Sequence, residues 1–112
     1  MIVFSHYPTD YFVGGGVYGE HGSPGIMYQL RRQDVRITYF GAHVHITEGP
    51  KHTLGPHNVE WVVGGGGGWS CDGAQGLVTG DVDLATGEVL NLRMLEANWD
   101  QCCRWNPHPK GG

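Results

Sequence analysis

The chain has 112 residues, 39% of them hydrophobic and 16% charged, a size for one domain with one core and a composition outside the disordered class. Its net charge of −4, with seven histidines counted as neutral, argues against nucleic acid or an anionic membrane as the main partner. No apolar stretch nears the roughly 20 residues that span a bilayer, and the N-terminus lacks the charged region and cleavage site of a signal peptide.

Met1 runs directly into strand sequence, as though the chain began inside a domain. Residues 1 to 6 read as a buried strand ending at His6. Residues 7 to 22 read as a loop rich in glycine and aromatics, with Tyr7, Tyr11, Phe12 and Tyr18 packing on one another. Ser23 and Pro24 signal a helix start: a capping hydroxyl, then proline at the first helical position. Ile26, Met27 and Leu30 give that helix an apolar stripe, and Gln29, Arg31, Arg32 and Gln33 face water. The pattern predicts about three turns, ending near Asp34.

Arg36 to Phe40 reads as the next strand, with Ile37 and Tyr39 on one face and Thr38 and Phe40 on the other. It empties into Gly41-Ala42-His43-Val44-His45. On an extended strand His43 and His45 would project from one face. Residues 48 to 57, with Pro50, Gly55 and Pro56, read as a loop. Val59 to Val63 is a strong strand candidate, followed by the glycines 64 to 68. That run lacks the Gly-Lys-Ser/Thr of a phosphate-binding loop and reads as a turn beside the site. Leu77 to Leu84 and Glu88 to Glu96 read as a hairpin closed by Ala85-Thr86-Gly87. Val78, Val82 and Leu84 are expected on one face of its first strand, and Leu90, Leu92 and Met94 on one face of its second.

The expected class is α/β (α+β), mostly strands plus one short helix, with residues 1–98 as the folded part and 99–112 as a polar tail. One short helix leaves a sheet face uncovered, so the chain reads as part of a larger architecture. Cys71, Cys102 and Cys103 have no zinc-finger spacing. They allow a disulfide from Cys71 to Cys102 or Cys103, or three free thiols.

His6, His43 and His45 follow apolar strands and sit beside the small residues Ser5, Gly41 and Ala42, where backbone approaches a ligand closely. Open α/β sheets place their sites at such strand ends, and imidazoles brought together there suit zinc, iron and similar ions. Trp61, Trp69, Trp99 and Trp105 read as packing residues, and His52, His57 and His108 as solvated loop residues. Asp72 is a remote candidate for approach to the site.

Val3-Phe4-Ser5-His6-Tyr7-Pro8 and Gly41-Ala42-His43-Val44-His45 resemble the two C-terminal signatures of calcineurin-like metallophosphoesterases, above all the purple (tartrate-resistant) acid phosphatases. There the first signature reads V-x-x-H within G-H-Y-P and the second G-H-x-H. Trp61 to Gly68 resembles the strand and glycine loop after the second signature, and Glu20-His21-Gly22 an E-H-G stretch of the small animal-type enzymes. The resemblance covers roughly residues 2 to 96.

It implies the C-terminal half of a metallophosphoesterase β-sandwich with flanking helices, acting on phosphate monoesters through a dinuclear centre of iron with zinc, manganese or iron. His6 and His43 would bind the second, divalent metal and His45 the first. His21 would contact phosphate or help protonate the leaving group, and Tyr7 would line the substrate pocket. For the complete protein the resemblance implies a secreted or lysosomal/vacuolar compartment.

Ser5 and Ala42 stand where the family has glycine. The family's D-x-H, G-D-x-x-Y and G-N-H motifs, which carry the aspartates, bridging carboxylate, tyrosine and asparagine, are absent. Alone, the chain is expected to hold at most one ion, and an N-terminal half-domain or self-association would complete it. The alternatives are a small non-catalytic metal-binding domain using the same three histidines, and an inactive fragment or interaction module.

Overall fold

A computed structural model of the chain describes residues 1–13, 24–65 and 74–97. The elements are β1 (Ile2–Phe4), a 3-10 turn (Thr9–Phe12), α1 (Pro24–Leu30), β2 (Thr38–Gly41), β3 (Thr47–Lys51), β4 (Val59–Val63), β5 (Gly76–Val82) and β6 (Val89–Glu96). The class is mixed α+β, with strands dominant and one short α-helix among the described residues, as the sequence predicts. Among the described residues no helix is long and apolar enough to cross a membrane.

Four strands form a sheet in the order β1-β2-β4-β3, and β5 and β6 form a separate two-stranded sheet. β1, β2 and β4 run parallel, with Phe4 beside Phe40 and Phe40 beside Trp61; β3 is antiparallel to β4. Parallel neighbours need a crossover, and the 3-10 turn and α1 lie on the one between β1 and β2. Met27, Leu30, Ile37, Tyr39 and Leu54 form the buried cluster on that side of the sheet, with Val3, Phe12 and Val35 packed against it.

The predicted buried first strand is instead an edge strand, and its three residues are exposed, half-buried and exposed in turn. Val3 alone turns to the core. Ile2 and Phe4 line an open cleft of about 490 Å³ with Phe40, Val63, Val78 and Leu92. The sheet face opposite α1 thus looks across this gap at the β5–β6 hairpin.

The helix is shorter than its apolar stripe predicts. Asn58, 1% exposed, donates from Nδ2 to the carbonyls of Leu30 (3.1 Å) and Arg32 (3.0 Å). Those oxygens are thereby satisfied without another helical turn. Met27 and Leu30 are buried, but Ile26 is exposed and lies off the stripe.

The predicted loop at 48–57 contains β3. Gly49, at φ 146°, lies flat against the buried Trp61, where an added Cβ would sit 2.7 Å from the indole. Proline in a strand fits only an edge or a bulge, and Pro50 has both: β3 is an edge strand whose register shifts between Glu48 and Lys51.

The hairpin forms as predicted, but its faces do not run straight. Asn91 and Leu92 oppose Gly80 alone between the pairs Asp81–Leu90 and Thr79–Arg93, and Asn91 is at φ 55°. The bulge turns Val89, Leu92 and Met94 to the half-buried side and Leu90 outward, because an extra residue reverses the alternation. Leu84, expected to share the inner face, lies beyond β5 and is fully exposed.

Candidate metal centre

The candidate residues collect at the C-terminal ends of the parallel strands. β1 continues through Ser5, whose N–H donates to the Phe40 carbonyl (2.9 Å), to His6, whose carbonyl accepts from Ala42 N–H (3.1 Å). This pairing carries the two chains side by side past the sheet edge. Gly41 permits the approach: a Cβ there would lie 2.8 Å from Pro8 Cα and 2.9 Å from the Tyr7 carbonyl.

His43 and His45 do not lie on an extended strand and so do not share a strand face. Val44 N–H donates back to the Ala42 carbonyl at 2.6 Å, and His43, at the centre of this three-residue turn, has φ 61°. A left-handed conformation is uncommon for any residue with a Cβ and is held only by surrounding structure. The turn, not strand alternation, aims the ring.

His6 Nε2 and His43 Nδ1 lie 2.9 Å apart, with ring centroids 4.9 Å apart at 72°. One nitrogen donates and the other accepts, so the pair shares a proton-bearing contact in the metal-free protein. For both nitrogens to hold one ion, the proton between them must leave and the rings must turn, because in the hydrogen-bonded pair the lone pair of one nitrogen is aimed at the other ring.

His45 lines the same open pocket, about 490 Å³, together with His6, Ala42, His43, Val63, Gly64 and Gly65. Gly64 keeps the floor low: a Cβ there would collide with the Val44 carbonyl oxygen. The His45 backbone is held from the hairpin side. Buried Gln75 donates from Nε2 to the His45 carbonyl (2.7 Å), and Thr47 N–H donates to the Ala74 carbonyl (2.7 Å). Among the described residues no three His, Cys, Asp or Glu side chains lie close enough to hold one ion. His45 therefore shares the pocket without closing a three-ligand set.

Tyr7 stands beside both imidazoles, 4.8 Å from His6 and 5.0 Å from His43 by ring centroid, and stacks on Tyr11 at 5.3 Å. Tyr7 and Tyr11 thus pack on each other and on His43, whereas Phe12 packs against the core cluster and Tyr18 lies outside the described residues. His52 and His57 are exposed, as predicted. His21, Asp72, Cys71, Cys102, Cys103, Trp69, Trp99, Trp105, His108 and the tail lie outside the described residues.

The His6 loop rests on groups the histidine pattern does not reveal. Tyr39 OH donates to the Tyr7 carbonyl at 2.5 Å, and burial pushes that phenol above its ordinary pKa. Glu60, fully buried in β4, accepts from the Thr9 amide (2.8 Å), the Thr9 hydroxyl (2.5 Å) and the Thr53 hydroxyl (2.6 Å). The one sequence signal for Glu60 is a carboxylate inside an otherwise apolar strand.

The lining fits the imidazole share of a metal site and does not fit a dinuclear centre by itself, because the described pocket lining carries no carboxylate. No known family's profile, no curated protein and no solved structure matches the chain.

Proposed function

We propose that this chain is the histidine-bearing part of a metal-dependent phosphoesterase of the calcineurin-like, purple acid phosphatase type. In this reading His6 and His43 hold one divalent ion, and His45 reaches toward a second whose carboxylate ligands come from an N-terminal half-domain or another copy. The observation that carries it is the 2.9 Å approach of His6 Nε2 to His43 Nδ1 at the ends of parallel strands. The left-handed His43 adds weight, since strained backbone concentrates at functional sites. The two histidine signatures supply the reaction class: hydrolysis of a phosphate monoester. Tyr7 would border the substrate, and His21 would assist the leaving group. Bound metal would polarise the phosphoryl group. The chain's own part is to hold the imidazoles.

The test is zinc, iron and manganese content of the purified wild type and of His43→Ala, followed by phosphate-ester hydrolysis. Metal held by the wild type and lost in the variant supports the site, and hydrolysis that appears on adding the carboxylate-bearing half supports the reaction class. Equal metal content in both proteins overturns it.

A second reading is a mononuclear, non-catalytic metal domain, favoured by the lack of a carboxylate among the described residues of the pocket lining. It predicts bound metal, lost in His43→Ala, with no hydrolysis under either condition.

A further inference from the structure

We propose that Glu60 is the positioning residue for the imidazole pair: it holds the loop that carries His6, through Thr9, so that His6 and His43 meet. This goes beyond the metal reading, since it concerns how the pair is built whether or not an ion joins it.

Glu60 is the second residue of β4, opposite Tyr39 in the register. A buried ionised carboxylate is costly unless paired or fully hydrogen-bonded. Among the described residues none of the ion pairs includes Glu60. Three donors hold it instead. The Thr9 amide binds Oε1 at 2.8 Å, and the Thr9 and Thr53 hydroxyls bind Oε2 at 2.5 and 2.6 Å. An apolar residue at this position would serve a sheet core as well or better. What the carboxylate adds is a fixed address for Thr9, three residues beyond His6.

The loop is pinned at successive residues by neighbouring strands. Tyr39 of β2 takes the Tyr7 carbonyl, Gly41 of β2 lets Pro8 lie flat against it, and Glu60 of β4 takes Thr9. Pro8 and Thr9 are both buried, whereas His6 is exposed. A side chain at the surface is therefore aimed by a backbone anchored in the interior. Without the carboxylate, the Thr9 amide and two hydroxyls would be left in a dry layer and would seek other partners. The loop would then shift, and His6 would leave His43. Thr53 extends the same anchor to the segment between β3 and β4: its hydroxyl shares Oε2 with the Thr9 hydroxyl, 3.2 Å away, so one buried carboxylate ties two loops together.

The test compares wild type with Glu60→Gln, which can accept from the Thr9 amide and exchange donor and acceptor roles with the two hydroxyls, and with Glu60→Leu. Circular dichroism and thermal melting check folding. The readout is the ring ¹⁵N shifts of His6 and His43 in metal-free protein at about pH 8, above the ordinary histidine pKa of about 6.5. Wild type and Glu60→Gln are expected to show fixed tautomers at both rings. Folded Glu60→Leu is expected to show the averaged values of free imidazoles. Loss of thermal stability with unchanged ring shifts would overturn the proposal and leave Glu60 as packing.

If Glu60→Leu fails to fold, Thr9→Val removes only the hydroxyl link. It is expected to loosen the tautomer preference, and unchanged shifts in that variant would overturn the proposal equally. Cobalt(II) titration is a second readout that rests on the metal reading: a loss of about 10–100-fold in affinity is expected for Glu60→Leu, the usual size for a group supporting a ligand. A wild type that binds no cobalt would defeat the metal reading, and the ring shifts would still decide the role of Glu60.

Discussion

On one face of the four-stranded sheet Tyr39 and Leu54 are 1% exposed beneath α1 and the 3-10 turn; on the other, Phe4 is 78% exposed across an open cleft from the hairpin. The closed face is joined by polar anchors as well as apolar contacts. Asn58 and Glu60 sit within it, each satisfying several backbone or hydroxyl groups. On the open side, the hairpin and the residue leading into it join the sheet segment through Gln75 and Thr47 near the site and through Arg36 and Glu88 at the far end. The loop that carries His6 is anchored in the covered layer through Tyr39 and Glu60, while the segment leading into the hairpin holds the His45 backbone through Gln75.

The largest break in this comparison comes from the core. Leu54→Ala should cost about 2–5 kcal/mol in chemical denaturation, and Phe4→Ala, on the open face, should cost under about 1 kcal/mol because little area leaves water on folding. Comparable losses at the two positions would mean that the cleft closes in solution. Next in size, Asn58→Ala leaves the Ile37 amide and the Leu30 and Arg32 carbonyls without their side-chain partner. A loss of about 1–3 kcal/mol is expected, with faster amide exchange at Ile37 as its local signature. The smallest effect concerns the Arg36–Glu88 pair at 2.7 Å, whose side chains are largely exposed. A double-mutant cycle should return about 0.2–1 kcal/mol, falling with added salt. A larger coupling would place the hairpin within the cooperative unit of the sheet.

Much of this arrangement was legible in the residues. Val59 to Val63 announces β4 through β-branched and aromatic content, and the hairpin is signalled by its turn. Histidines placed after apolar strands announced a meeting of His6, His43 and His45, of which His6 and His43 come into contact. Other features turned on geometry that periodicity does not carry. Pro50 and Gly49 disguised β3, since an edge strand with a bulge accepts residues that punctuate a loop. His43 and His45 have strand spacing, yet a turn at φ 61° replaces the strand. Asn91 reverses the faces of β6 through one unpaired residue. Glu60 was hidden among valines because an apolar strand absorbs a single charge without breaking its pattern, and its meaning lies with Thr9 and Thr53, far away in sequence.

The parallel pairing of β1 with β2 has a kinetic side. The hairpin closes over a few residues, a step of microseconds, whereas His6 and His43 are 37 residues apart along the chain. They meet only after the segment carrying α1 has been looped back, a closure whose entropy must be met before its contacts repay it. The imidazole pair thus comes into being late, with the long-range sheet. In a refolding chain, the shared proton between the two rings would serve as a clock for the moment the parallel layer is complete.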